Sequence, residues 1–79
     1  MAAEECSPAA LIEFIVKAIV TDPEAVAVRE VDGGRVLELE TAVEDRGRVI
    51  GRQGRVAKAM RAVLGASRHG ENVRLDIVD

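Results

Sequence analysis

Two glycines, Gly51 and Gly54, interrupt an otherwise helical stretch of this chain and constrain its fold more than any other feature. Helical spacing of apolar residues covers residues 44–50 and resumes over residues 55–64. Because glycine lacks a Cβ, it permits a tight reversal that other residues resist. The pattern therefore predicts two helices joined by a sharp turn, and the acidic residues at 44 and 45 suit the first helix's dipole.

Another helix is predicted near the amino end. Ser7 can cap this helix and Pro8 can occupy its first position, while Thr21-Asp22-Pro23 ends it. Glu13 and Lys17 lie four residues apart and mark its solvent side. The apolar stripe predicted to face the core comprises Leu11, Phe14, Ile15, Ala18 and Ile19.

Three strands are predicted in the remaining segments. Residues 25–31 and 35–41 are rich in β-branched or alternating apolar residues, and Asp32-Gly33-Gly34 between them is typical of a hairpin turn. Residues 73–77 alternate in the same way and form the third strand. The first two strands should therefore pair antiparallel.

The resulting order is α-β-β-α-α-β. The helix pair connecting the second and third strands is long enough for a right-handed crossover, which makes those strands parallel. We therefore predict an α+β fold, a two-layer sandwich in which three helices cover one face of a three-stranded mixed sheet. The 79 residues should form a single domain, with residues 1–6 frayed.

Charge is distributed very unevenly along the chain. The formal net charge is −3, yet residues 46–68 contain seven cationic side chains and no acid. An acidic domain with one basic segment is expected to hold a local anion site. The seven cations are Arg46, Arg48, Arg52, Arg55, Lys58, Arg61 and Arg68.

Composition argues against enzymatic and metal chemistry. The chain has one cysteine, Cys6, and one histidine, His69, so a disulfide framework and a multi-cysteine metal site are excluded. No nucleophile–base pair or Walker-type loop is present, so we expect a non-enzyme without cofactor, metal or small-molecule substrate. The amino end shows no secretory signal, and the longest apolar stretch, residues 9–20, is too short to span a membrane, which predicts a cytoplasmic protein.

The glycine turn has the chemistry of a phosphate site. Glycine allows a phosphate to approach the backbone, and the first amides of the following helix attract an anion. Arg52 and Arg55 can add charge-assisted contacts, and Lys58 adds a mobile charge one turn along. Both Gly51 and Gly54 are expected to be exposed, so that replacing them with aspartate would leave the fold intact.

These residues resemble the KH family of RNA-binding domains. The run Val49-Ile50-Gly51-Arg52-Gln53-Gly54 matches the V-I-G-x-x-G form of the loop with which KH domains clamp four nucleotides. The element order resembles the type II arrangement, and residues 8–78 resemble the small single-domain bacterial KH proteins of the KhpA type. The resemblance implies RNA contacts from Arg48, Ile50, Gly51, Arg52, Gln53, Gly54, Arg55 and Lys58.

The resemblance also implies a groove for bases between the helices and the edge of the final strand, around Arg74 and Asp76, bordered by a loop at residues 65–72. Ala57 is smaller than the aliphatic residue that many KH domains carry there. A bacterial RNA chaperone is implied, with roles in cell shape and cell wall biogenesis. The implied partners are single-stranded RNA and a second KH unit, in a homodimer or a heterodimer with a KhpB-type protein.

Two other functions remain open from the residues alone. Residues 44–64 give two helices and a glycine turn, as in helix-turn-helix DNA-binding proteins, although strands flank them here. The chain could also be a KH-fold protein-interaction module that does not bind RNA. The chain has no tyrosine or tryptophan, so only arginine or aliphatic side chains could stack on bases. We therefore expect weak RNA affinity for a single domain.

Overall fold

The computed structural model describes residues 7–66 and 72–78. The predicted frayed segment at residues 1–6, which includes Cys6, lies outside the described residues. The same is true of Arg68 and His69 and of most of the predicted loop at residues 65–72.

The observed order of elements confirms the predicted α-β-β-α-α-β arrangement. The helices and strands are α1 (Pro8–Ile19), β1 (Ala27–Val31), β2 (Val36–Glu40), α2 (Arg46–Ile50), α3 (Arg55–Ala66) and β3 (Arg74–Ile77). Short 3₁₀ turns precede β1, β2, α2 and α3. In the part of the chain that the structure describes, no helix is long and apolar enough to cross a membrane.

The start of α1 follows the predicted capping pattern. Ser7 Oγ accepts a hydrogen bond from the backbone N–H of Ala10 at 3.1 Å, and Pro8 occupies the first helical position. Glu13 and Lys17 form an ion pair, with 2.7 Å between Oε2 and Nζ. Local sequence therefore determines where this helix begins, and the predicted pairing of Glu13 with Lys17 is present.

The three strands form one mixed sheet in the order β1-β2-β3. β1 and β2 pair antiparallel around the turn Asp32–Gly34, with Val31 opposite Val36. β2 and β3 pair parallel, with Leu37 opposite Leu75. β3 therefore lies at an edge of the sheet, next to the helix pair that leads into it.

All three helices contribute to one core on a single face of the sheet. β2 alternates buried Leu37 and Leu39 with half-buried residues, and Leu75 lies beside Leu37 on the same face. The central cluster of buried side chains comprises Ile12, Val16, Leu37, Leu39, Val49, Met60, Leu64 and Leu75. The predicted two-layer sandwich is confirmed.

The predicted inward stripes of the helices need correction. In α1, Ile12 and Val16 are fully buried, whereas Phe14 is 75% exposed and Ile19 is 38% exposed. Val63, an apolar residue of α3, is 41% exposed. Because α1 is apolar on most sides, helical spacing alone does not determine which of two overlapping stripes packs on the sheet.

Candidate nucleic-acid interface

The two glycines form the turn between α2 and α3. The N–H of Gly51 donates to the carbonyl of Gly47 at 2.8 Å and ends α2. A 3₁₀ turn, Arg52–Gly54, follows, in which the N–H of Gly54 donates to the carbonyl of Gly51 at 3.1 Å. The chain therefore reverses within four residues, as the glycine spacing predicts.

The two glycines have different structural roles. Gly51 has φ of 78° and ψ of 171°, and a Cβ there would lie 2.5 Å from Val56 Cγ2 and 2.9 Å from Val56 N. Gly54 also has a positive φ, 75°, but a Cβ there would have no atom within 4 Å. The expectation that both glycines tolerate aspartate is wrong for Gly51, because the first turn of α3 packs directly against it.

The residues between and after the glycines point into solvent. Arg52, Gln53 and Arg55 are exposed, and Lys58 is exposed one turn further along α3. Gln53 adopts a left-handed conformation with φ of 59°, which non-glycine residues adopt at some energetic cost. The turn and the start of α3 thus present three cationic side chains beside unobstructed backbone at Gly54.

An open groove of about 560 Å³ runs from this turn to the edge of β3. One wall comes from α2, the turn and α3, and the other from β3. Ala57 is 3% exposed and leaves space in the helical wall, while Ile50 is 37% exposed. The lining residues are Ile50, Gly54, Ala57, Arg61, Arg74, Asp76 and Ile77.

The β3 wall of the groove carries an ion pair. Arg74 Nε lies 3.1 Å from Asp76 Oδ1, and Arg74 Nη2 lies 3.3 Å from Asp76 Oδ2. Hydrogen bonding to this carboxylate raises the pKa of Arg74 above its ordinary value.

Arg61 links the two walls of the groove. Its Nε and Nη2 both donate to the carbonyl oxygen of Leu75, at 3.3 Å and 3.1 Å. The sequence places Arg61 only among the cations of the basic segment. No local pattern could reveal a contact between residues 14 positions apart on different elements.

Asp45, which the sequence places only in the acidic start of the predicted helix, directly precedes α2 and is fully buried. Its carboxylate accepts hydrogen bonds from the N–H and hydroxyl of Thr21 and from the N–H of Asp22. These hydrogen bonds, the backbone N–H of Thr21 foremost, lower the pKa of Asp45 although burial opposes the shift. Arg48, 3.5 Å away through its Nε, adds a favourable charge.

Arg48 lies apart from the other predicted binding residues. It lines a separate, mostly apolar groove between α1 and α3, together with Ile15, Ile19 and Val63. The structure therefore brings Ile50, Gly51, Arg52, Gln53, Gly54, Arg55 and Lys58 together along the turn and the start of α3, and places Arg48 on another side of α2.

Known proteins match this chain over most of its length. An "RNA-binding protein KhpA" from Halalkalibacterium halodurans is 47% identical over 73 residues, covering 87% of this chain and 96% of that protein. Proteins of the same name from Streptomyces coelicolor and Borreliella burgdorferi are 49% and 41% identical, covering 86% and 87% of this chain and 87% and 89% of their own.

No solved structure matches this chain significantly. The model of the KhpA/KhpB KH domain matches residues 9–77, which include the glycine turn, both walls of the groove and all three strands. The resemblance predicted over residues 8–78 is therefore confirmed. This chain belongs to the KhpA/KhpB family of KH-domain proteins.

Proposed function

We propose that this chain binds single-stranded RNA without catalysis, using the turn at residues 51–55 and the adjoining groove. The observation that carries the proposal is the juxtaposition of an exposed, cationic glycine turn with an open groove that ends at a strand edge. The relatives are named RNA-binding proteins, and these names support the same function.

The two sides of the site would contact different parts of the RNA. Phosphates would lie at the turn, where the backbone is accessible at Gly54 and where Arg52, Arg55 and Lys58 supply positive charge. Bases would enter the groove and contact Ala57 and the aliphatic residues beside it. Because the groove has no aromatic residue among its lining side chains, the affinity of one domain should be weak and tolerant of sequence.

The biological role proposed for the chain is that of a bacterial cytoplasmic RNA chaperone or post-transcriptional regulator. A second KH unit, in a homodimer or a heterodimer with a KhpB-type protein, would raise the effective affinity of a weak site. Light scattering of the purified chain, alone and mixed with a KhpB-type protein, tests this association. A monomer in both samples would contradict it.

Neutralising the cations of the turn tests the proposed function. In Arg52→Gln/Arg55→Gln, affinity for a labelled single-stranded RNA should fall about tenfold, because two phosphate contacts are lost. The matched control is Lys17→Gln/Arg29→Gln, which removes the same charge from α1 and β1 and should retain most of the affinity.

Equal losses in the two double variants would contradict the role of the turn. Competition with duplex DNA separates RNA binding from the helix-turn-helix alternative, since duplex DNA should displace the RNA poorly. Absence of RNA binding with intact partner association would instead favour the protein-interaction module.

A further inference from the structure

The two walls of the groove differ in charge. The turn and α3 present Arg52, Arg55 and Lys58 to solvent. In contrast, β3 presents an ion pair with no net charge, in which the side chains of Arg74 and Asp76 are 74% and 37% exposed. If the chain binds RNA as proposed above, phosphates will lie on the cationic wall and avoid the carboxylate. Asp76 will then contact the bases.

Asp76 is held in place by its neighbours. On either side of it along β3, the N–H of Arg74 donates to the carbonyl of Arg35 at 2.8 Å and the N–H of Val78 donates to the carbonyl of Leu39 at 2.9 Å. The guanidinium of Arg74 donates a hydrogen bond to each carboxylate oxygen of Asp76, at 3.1 Å and 3.3 Å. An acceptor fixed in this way on a regular strand can discriminate between donors.

The guanidinium also limits what the carboxylate can accept. Arg74 occupies one acceptor site on each oxygen of Asp76. A base can therefore donate a single N–H to a remaining lone pair more readily than it can make a second bidentate contact. The exocyclic amino groups of cytosine, adenine and guanine are such donors. The N3–H of uracil lies between two carbonyl oxygens, which a carboxylate repels.

We propose that Asp76 is a specificity-determining residue that selects bases with an exocyclic amino group (cytosine, adenine or guanine) over uracil. This inference rests on the proposed RNA binding and adds a preference that the fold itself does not require. Fluorescence anisotropy with labelled octamers of cytidine and of uridine, at one salt concentration, tests it. The wild-type protein should bind the cytidine octamer about fivefold more tightly, which is the net value of one ordinary hydrogen bond.

In Asp76→Asn the ratio of the two affinities should fall to nearly one. The amide has a donor as well as an acceptor and can form a hydrogen bond with either base. The matched control is Glu38→Gln. Glu38 is the partner of Asp76 in the sheet register, has a similarly exposed carboxylate and is not part of the groove lining. Removing its charge should strengthen binding of both octamers equally and leave their ratio unchanged.

The outcomes are distinguishable. An unchanged ratio in Asp76→Asn, or an equal loss of preference in Glu38→Gln, would overturn the assignment. Equal wild-type affinity for the two octamers would overturn it while leaving RNA binding intact. Failure of the wild-type protein to bind either octamer or an adenosine octamer would overturn the proposed function and the assignment together.

Discussion

Asp45 and Thr21 are joined by two hydrogen bonds across 24 residues of sequence. The N–H and the hydroxyl of Thr21 donate to Asp45 Oδ1 at 3.0 Å and 2.9 Å, and the N–H of Asp22 donates to Oδ2 at 3.1 Å. These contacts tie the segment after α1 to the start of α2, the short helix that leads into Gly51. The buried carboxylate thus fixes the start of α2 against the segment that follows α1.

Replacing Asp45→Asn should destabilise the fold markedly. An amide can orient only one acceptor, so one of the donors from Thr21 or Asp22 would face an amide N–H and stay unpaired. We expect the melting temperature at pH 7 to fall on the order of 10 °C, as measured by circular dichroism. The control is Glu44→Gln, at the neighbouring exposed position. This substitution should change the melting temperature by about 2 °C or less.

The contribution of Asp45 should also depend on pH. Its pKa is lowered in the folded state from a reference value of 3.8, so its stabilisation is complete above that value and is lost as pH falls through the folded-state pKa. The melting temperatures of the wild-type protein and Asp45→Asn should therefore converge below about pH 4. A constant difference between pH 7 and pH 3 would contradict this assignment.

The sequence predicts the order and pairing of elements well because those depend on local patterns. The Asp32–Gly34 turn sets the antiparallel register of β1 and β2, and the helix pair makes β3 parallel to β2. By contrast, the contact between Asp45 and Thr21 joins positions distant in sequence. An acidic residue in the first turn of a helix is typical of solvent-exposed positions, so no local signal distinguishes this buried one.

Side-chain burial in α1 tests the corrected helix orientation. Ile12→Ala should cost about 2–5 kcal/mol in free energy of unfolding, because Ile12 is fully buried in the central cluster. Phe14→Ala, on the same helix, should cost about 0.5 kcal/mol or less, because its side chain is 75% exposed. Urea denaturation measures both, and similar losses at the two positions would contradict this orientation.

The two glycines of the turn should respond differently to a methyl group. Gly54→Ala should cost about 1 kcal/mol, the strain of a positive φ, since its Cβ would meet open space. Gly51→Ala should cost about 3 kcal/mol or more, because overlap with Val56 adds to a backbone conformation that only glycine adopts readily. Denaturant melts that rank Gly54→Ala as the more damaging change would contradict the packing described here.

The sequence identifies the glycine turn and its cations but leaves the groove incomplete. The spacing of Gly51 and Gly54 predicts the reversal, and the flanking arginines predict an anion site. The hydrogen bonds from Arg61 to the carbonyl oxygen of Leu75 depend on the distance between α3 and the edge of the sheet. Such a distance is a property of tertiary packing, which helical periodicity does not encode.

The salt dependence of RNA binding measures how many phosphates the turn engages. If Arg52, Arg55 and Lys58 provide most of the contacts, the slope of log affinity against log salt should be about −2, since each contact with a single strand contributes about −0.7. In Arg55→Ala the slope should become shallower by about 0.7, and affinity for all sequences should fall similarly, because phosphate contacts carry no base information.

Lys17→Ala is the matched control for this measurement. Lys17 lies on α1, is paired with Glu13 at 2.7 Å and belongs to neither the turn nor the groove, so its removal should leave the slope unchanged. An unchanged slope in Arg55→Ala would place this residue off the path of the RNA. A wild-type slope steeper than about −5 would require a basic footprint far larger than three contacts. A shallow slope that responds to Arg55 and not to Lys17 would locate the phosphates at the glycine turn, on the wall of the groove opposite Asp76.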